Sequence, residues 1–297
     1  MNKRIGIIGA GVVGTAVGVV LGQDYEITGV HDIRSESTKE LVDWILCTTY
    51  SSPQEVSRSA DILFITTSDT AIEKVVKNLA EHQGFHEGQV VIHMSGALSS
   101  EVLDKAKEFG AGVLSLHPLQ SFASVDMAIA NLPGSVFSID GDKNCHATAV
   151  QLVKTFQGEY FFIDRKVKPL YHAAACVVSN YLVTLIEFGV KVMESTGVSR
   201  DMAAKALMPL IKGTVNNIEN IGIPKALTGP IARGDLTTIL KHLDCLQETA
   251  PELTKLYSWL GFYTAQIALE KGSIDNRSME EFQKLFVKEL SRIESAS

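Results

Sequence analysis

The run Gly9-Ala10-Gly11-Val12-Val13-Gly14 constrains this chain more than any other stretch. It follows a short apolar segment, Arg4-Ile5-Gly6-Ile7-Ile8, and leads into Thr15-Ala16-Val17-Gly18-Val19-Val20-Leu21. Strand, glycine turn and helix in that order are what a dinucleotide-binding unit requires. Gly9 serves the tight turn, Gly11 lets the backbone approach a pyrophosphate, and Gly14 lets the helix pack close to the strand. The helix N-terminus then turns free amide N–H groups and a positive dipole end toward the phosphates. All six residues are therefore candidates for cofactor binding.

With 297 residues the chain is long for one core, and two domains are expected. Up to about Phe162 β-like and helix-like segments alternate. Strands are predicted over 25–30, 61–66, 89–93, 112–116, 134–139 and 160–163, and helices over 35–46, 70–81, 99–109 and 144–156. Such alternation means crossover connections and a mostly parallel sheet covered on both faces. From Lys168 onward helical periodicity dominates, with Leu182, Leu185, Ile186, Gly189 and Val192 along one long apolar helix. The expected fold is α/β: an N-terminal Rossmann dinucleotide-binding domain over 1–164 and an all-helical domain over 165–297.

A net charge of −7, without a Lys/Arg run, argues against nucleic acid or an anionic membrane as partner. Cys47, Cys145, Cys176 and Cys245 are scattered, with neither disulfide nor metal-ligand spacing, so a reduced compartment and no metal are expected. Met1-Asn2-Lys3-Arg4 runs straight into the first strand and reads as lacking a signal peptide. No stretch is expected to reach the apolar length of a membrane span; the richest, 173–190, carries Asn180 and Glu187. The expectation is a soluble cytoplasmic protein.

Asp32 ends the second predicted strand, where an acid takes the adenosine ribose hydroxyls and favours NAD. Arg34 follows, and an arginine there accepts a 2′-phosphate, so NAD and NADP both stay open. Thr66, Thr67 and Ser68 follow another strand, and their hydroxyls and N–H groups can line the cofactor; Ser68 or Asp69 can equally cap the next helix. Ser95 and His117 each follow a strand, and a parallel sheet brings such ends together. Histidine exchanges protons near neutral pH, as hydride transfer to or from a hydroxyl demands, while Ser95 can hold the substrate oxygen. His172, Cys176, Asn180 and Thr184 recur at four-residue spacing, a polar stripe amid apolar residues. In the loop Thr228 to Asp235, Arg233 can bind a carboxylate, and Asp235 can hold that arginine or cap the helix beginning at Leu236.

The layout resembles the 6-phosphogluconate-dehydrogenase-like superfamily, with pyrroline-5-carboxylate reductase, ketopantoate reductase and prephenate dehydrogenase. Three strings are similar to a bacterial group of Rossmann-like proteins designated NADP oxidoreductases, whose C-terminal domain has no assigned function. They are His117-Pro118-Leu119-Gln120-Ser121-Phe122, Tyr171-His172-Ala173-Ala174-Ala175 through Ser179-Asn180-Tyr181-Leu182, and Ala226 through Asp235. The resemblance covers nearly the whole chain. In prephenate dehydrogenases a Gly-Ser pair and a His-Pro pair follow successive strands and act on the substrate hydroxyl; Ser95 and His117 stand at similar positions. Here Ser95 precedes its glycine and Gln120-Ser121-Phe122 replaces a small-glycine continuation, so prephenate itself does not fit. In hydroxyacid dehydrogenases a lysine lies one turn before an asparagine; Asn180 matches the asparagine, but Cys176 replaces the lysine. His117 or His172 would take over its role. The resemblance also implies a homodimer through the helical domain and a cleft between that domain and the nucleotide domain.

The expected activity is that of an NAD(P)(H)-dependent oxidoreductase on a small carbonyl, imine or hydroxy-acid substrate bound between the domains. His117, Ser95 and His172 are its catalytic candidates, and Asn180, Arg233 and Gln120 its substrate-binding ones. Two rivals stand beside it: a non-catalytic nucleotide sensor, favoured by the missing lysine, and a deazaflavin-dependent NADP reductase.

Overall fold

The computed structural model describes residues 3–294. It divides into two compact units, Met1–Asn180 and Tyr181–Ser297. The first carries eight strands: β1 Ile5–Ile8, β2 Ile27–His31, β3 Thr48–Thr49, β4 Ile62–Ile65, β5 Val90–His93, β6 Gly112–Pro118, β7 Val136–Gly141 and β8 Glu159–Phe162. They form one sheet in the order β3-β2-β1-β4-β5-β6-β7-β8. Every neighbouring pair is parallel except β6 with β7.

Period-two alternation divides the apolar strands between two cores. Ile5, Ile7, Phe64, Ile92 and Leu114 pack with residues of the Val12–Leu21 and His146–Thr155 helices. Ile8, Leu63, Ile65, Val91 and Val113 pack on the other face with the Asp69–Glu81 helix and the 3-10 turns over Ser100–Phe109. With both faces covered, the central strands are continuous apolar runs, the mark of a buried parallel sheet. Between β1 and β4 the strand order reverses, which opens a crevice at the carboxyl ends of the strands.

The antiparallel edge carries a different pattern. Ser115 faces Asp140 and His117 faces Ser138 across β6 and β7, so four polar side chains share one face. The Lys168–Val178 helix supplies a fully buried Lys168 to these residues.

The helical unit contains the helices Arg200–Ile221, Leu236–Thr249, Pro251–Glu270 and Asn276–Glu294, and most of Asn180–Glu194. Its core gathers Ile239, Leu243, Ala265, Ala268, Phe282 and Phe286. A Cβ on Gly261 would run into the Phe286 ring, so only glycine allows that close approach.

Two expectations are corrected. The one long apolar helix expected after Lys168 is interrupted at Ser179, a turn residue with a φ of −107° and a ψ of −72° between the Lys168–Val178 and Asn180–Glu194 helices. The polar stripe is broken with it: His172 and Cys176 are partly buried, whereas Asn180 and Thr184 are exposed. The second correction concerns apolar length. Arg165–Glu194 holds an 18-residue window with a mean hydropathy of 1.6, long and apolar enough by composition to cross a membrane. Asn180 and Glu187 do not prevent this, because a few polar residues are tolerated over such a length. Only 6% of its most apolar window is buried.

Candidate functional site

The glycine turn forms as its sequence requires. Gly9 adopts a φ of 101°, and a Cβ there would lie 2.6 Å from Thr67 N. A Cβ on Gly14 would fall on the Gly9 carbonyl oxygen, whereas Gly11 faces open space. Close packing at Gly14 and free approach at Gly11 are the two backbone needs of pyrophosphate binding. Thr66 ties β4 to the turn, its Oγ1 donating to the Gly9 carbonyl at 2.6 Å.

A cleft of about 490 Å³ opens beside this turn, lined by Gly9, Gly11, Asp32, Arg34, Thr66, Thr67, Ser68 and Lys74 among others. Both Asp32 carboxylate oxygens are engaged, Oδ2 by Ala10 N and Oδ1 by Arg34 N, each at 2.8 Å. The Arg34 guanidinium lies 3.8 Å from Asp32, and its side chain is 67% exposed. Thr67 Oγ1 is buried without a hydrogen-bond partner, a polar group left for a ligand to satisfy. Ser68 stands at the N-cap of the next helix, yet its hydroxyl makes no capping bond. The residues present fit a dinucleotide.

A second constellation lies past β5 and β6. His117 at the end of β6 and His172 on the Lys168–Val178 helix face each other, ring centroids 6.2 Å apart. A Cβ on Gly96 would lie 2.7 Å from His117 Nε2 and 2.6 Å from His172 Nδ1. Two ring nitrogens thus pack against a position where only glycine fits. His172 Nδ1 is buried and unpartnered, while its Nε2 is 3.5 Å from Cys176 Sγ. His117 Nδ1 bonds the Tyr171 hydroxyl at 2.7 Å. Burial first, and then the positive charge of Lys168, lowers His117 to a pKa of about 3, so its ring is neutral at pH 7.

Ser95 sits beside these groups, but its Oγ accepts the N–H groups of Ala97 and Leu98, at 3.2 and 3.1 Å. It braces the loop that presents Gly96. His93 completes the brace, bonding Ser95 N and the Ser99 carbonyl, and burial lowers its pKa to about 4. Gln120 is exposed, and its Oε1 accepts from Ser121 N. Arg233 is exposed in the helical unit, and Asp235 caps Leu236–Thr249 by accepting from Thr238 N and Oγ1. Sequence reasoning missed Lys74, Tyr171, Gly96 and Lys168. Only the alternation of polar residues on β6 and β7 could have signalled Lys168. No cluster of three or more metal-ligating side chains occurs among the described residues.

Residues 2–118 match the family model of a Rossmann-like domain, and residues 135–264 match a domain of unknown function, DUF2520. The two matches follow one another along the chain, each over less than half of it. The same architecture recurs in solved structures. Protein TM1727 from Thermotoga maritima is similar to this chain with a TM-score of 0.73 and 22% identity, over 90% of this chain and 99% of that one. Pyrroline carboxylate reductase from Plasmodium falciparum, solved with NADP bound, gives 0.57 and 18%, over 94% and 98%. A reductive aminase from Aspergillus terreus, in complex with NADPH4, cyclohexanone and allyl amine, gives 0.62 and 15%, over 98% and 95%. At such identities the likeness is one of fold. A comparison with curated proteins finds no match.

Proposed function

We propose that this chain is an NADP(H)-dependent reductase of a small substrate carrying a C=N or C=O bond. The observation that carries it is the convergence of His117 Nε2 and His172 Nδ1 above Gly96, at the carboxyl end of the sheet that holds the glycine turn. Two structural neighbours named for imine chemistry, the pyrroline carboxylate reductase and the reductive aminase, support the substrate class.

Gly9 to Gly14 would hold the pyrophosphate, and Thr66, Thr67 and Ser68 the sugar and ring beyond it. When bound, the nicotinamide supplies or takes the hydride. The choice of NADP rests on Asp32: both its oxygens serve backbone N–H groups, whereas Arg34, 3.8 Å from Asp32, and Lys74 bring positive charge to the cleft. Reduction puts a hydride on carbon and a proton on the heteroatom. His117, neutral and buried, polarises the acceptor bond, and His172 across Gly96 delivers the proton. Ser95 acts through the loop that it braces. Partnership with a second copy belongs to the same reading, through the exposed apolar faces of Asn180–Glu194 and Arg200–Ile221.

Nucleotide fluorescence during titration with NADPH and NADH tests this reading. NADPH should bind at least about tenfold more tightly, and Arg34→Ala or Lys74→Ala should each remove most of that preference, since one charge-assisted hydrogen bond contributes about 1.5–3 kcal/mol. Binding of neither nucleotide would sink the reductase reading. Tight binding without turnover of any imine or keto acid would leave a nucleotide-binding protein without catalysis. His117→Gln should keep NADPH binding and lower kcat by about a hundredfold or more.

A further inference from the structure

A line of polar side chains runs beneath His117, and counting its protons decides how that ring is protonated. Lys168 Nζ donates to Ser115 Oγ at 2.8 Å and to Ser138 Oγ at 3.4 Å. It lies 3.1 Å from Asp140 Oδ2, an ion pair poorly aligned for a hydrogen bond, with both side chains fully buried. Two of the ammonium's N–H groups thus go to the serine hydroxyls, and Asp140 balances its charge. Asp140 Oδ1 accepts from Ser100 N at 2.8 Å, which anchors the pair to the chain beyond β5.

Ser138 Oγ accepts from Lys168, and the same Lys168 Nζ stands 5.4 Å from the centroid of the Tyr171 ring. Burial pushes the Tyr171 phenol up, so the phenol keeps its proton. That proton has one acceptor at hand, His117 Nδ1 at 2.7 Å. A neutral imidazole that accepts at Nδ1 carries its hydrogen at Nε2. Nε2 is the nitrogen packed against Gly96, on the side of His172 Nδ1.

We propose that Tyr171, packed against Lys168, is a positioning residue that fixes His117 as the Nε2–H tautomer and aims that N–H at the oxygen or nitrogen of the bond to be reduced. The role in reduction rests on the reductase reading, but the tautomer belongs to the chain without ligand. The groups facing His117 are Lys168, Tyr171 and His172 from the helix, His93 from β5, and Ser138 from β7, with Asp140 balancing Lys168. Burial and the charge on Lys168 keep the ring neutral. His117 therefore acts as a fixed donor at neutral pH and not as a proton shuttle.

Long-range proton–nitrogen NMR of the ring nitrogens, on the full chain without ligand, tests this directly. The His117 signals are assigned by their loss in His117→Gln. The expected spectrum shows a bare Nδ1 and a protonated Nε2, unchanged between pH 8 and pH 5. In Tyr171→Phe the same ring should become a mixture of tautomers; with NADPH and an imine substrate, kcat should fall about tenfold at nearly constant KM. If Tyr171→Phe does not fold, the wild-type spectrum decides by itself. A wild-type spectrum with Nδ1 protonated overturns the proposal whatever the variant does, and so does an unchanged tautomer in Tyr171→Phe. Failure to bind NADPH alongside the expected tautomer would overturn the reductase reading and leave the tautomer standing.

Discussion

His93 and His117 are held neutral by burial, at pKa values of about 4 and about 3. An unfolded histidine titrates near 6.5, so between pH 6.5 and 4 the unfolded chain binds protons that the folded chain refuses. Stability should therefore fall as pH drops through that window and be fully present above it. Urea midpoints at pH 7 and pH 5 measure the loss, and His117→Gln should shrink it. The Lys168–Asp140 pair behaves oppositely to a surface ion pair. Lys168→Met leaves a buried carboxylate without its cation and should cost about 3–5 kcal/mol. Adding Asp140→Asn to the same chain should recover part of that loss in a urea titration, because the uncompensated charge is gone. Of these residues only His117 drew notice in the sequence. Lys168 reads as one more lysine until β6, β7 and the following helix close around it.

Among the elements, the glycine turn was the most legible, since each glycine answers a separate steric demand. Gly9→Ala should abolish NADPH binding, because its φ of 101° and a Cβ at 2.6 Å from Thr67 N force the turn out of shape. Circular dichroism should still report a helix-rich fold, and retention of full NADPH affinity would count against the cleft as the binding site. The Pro53–Ser59 helix carried a readable signal that went unread: Ser52 and Glu55 form a reciprocal capping box with Pro53 at its start. The two-residue β3 carried none, since so short a strand has no periodicity. Ser179 interrupts the apolar helix although local sequence contains no proline or glycine to mark the break.

On the scale of the whole molecule, the helical unit keeps apolar surface uncovered. Among the described residues, Asn180–Glu194 buries Val190 and Arg200–Ile221 buries Ala203, while Val183, Leu210 and Val215 are at least half exposed. Apolar faces of this extent mark an interaction surface. Sedimentation should show a dimer of the full chain, and Val183→Glu with Leu210→Glu should convert it to a monomer with NADPH binding retained. A wild-type monomer at micromolar concentration would reject the dimer. Association with lipid vesicles instead would assign the apolar segment to a membrane surface.

The sequence by itself determined the Rossmann sheet, the glycine turn and the helical second half, because strand and helix periodicity and glycine sterics are local properties. It also placed Thr67 and His117 at strand ends, since the carboxyl edge of a parallel sheet follows from strand order. Tertiary structure alone decided that Asp32 serves the glycine turn, that Ser95 braces a loop, and that Gly96 leaves room for two facing histidines. It alone built the line from Lys168 to His117 as well. These outcomes depend on which strands become neighbours and in what direction, and the antiparallel pairing of β6 with β7 sets Ser115, His117, Ser138 and Asp140 on one face. No local pattern encodes that pairing, because the packing energy that selects it is shared across the sheet.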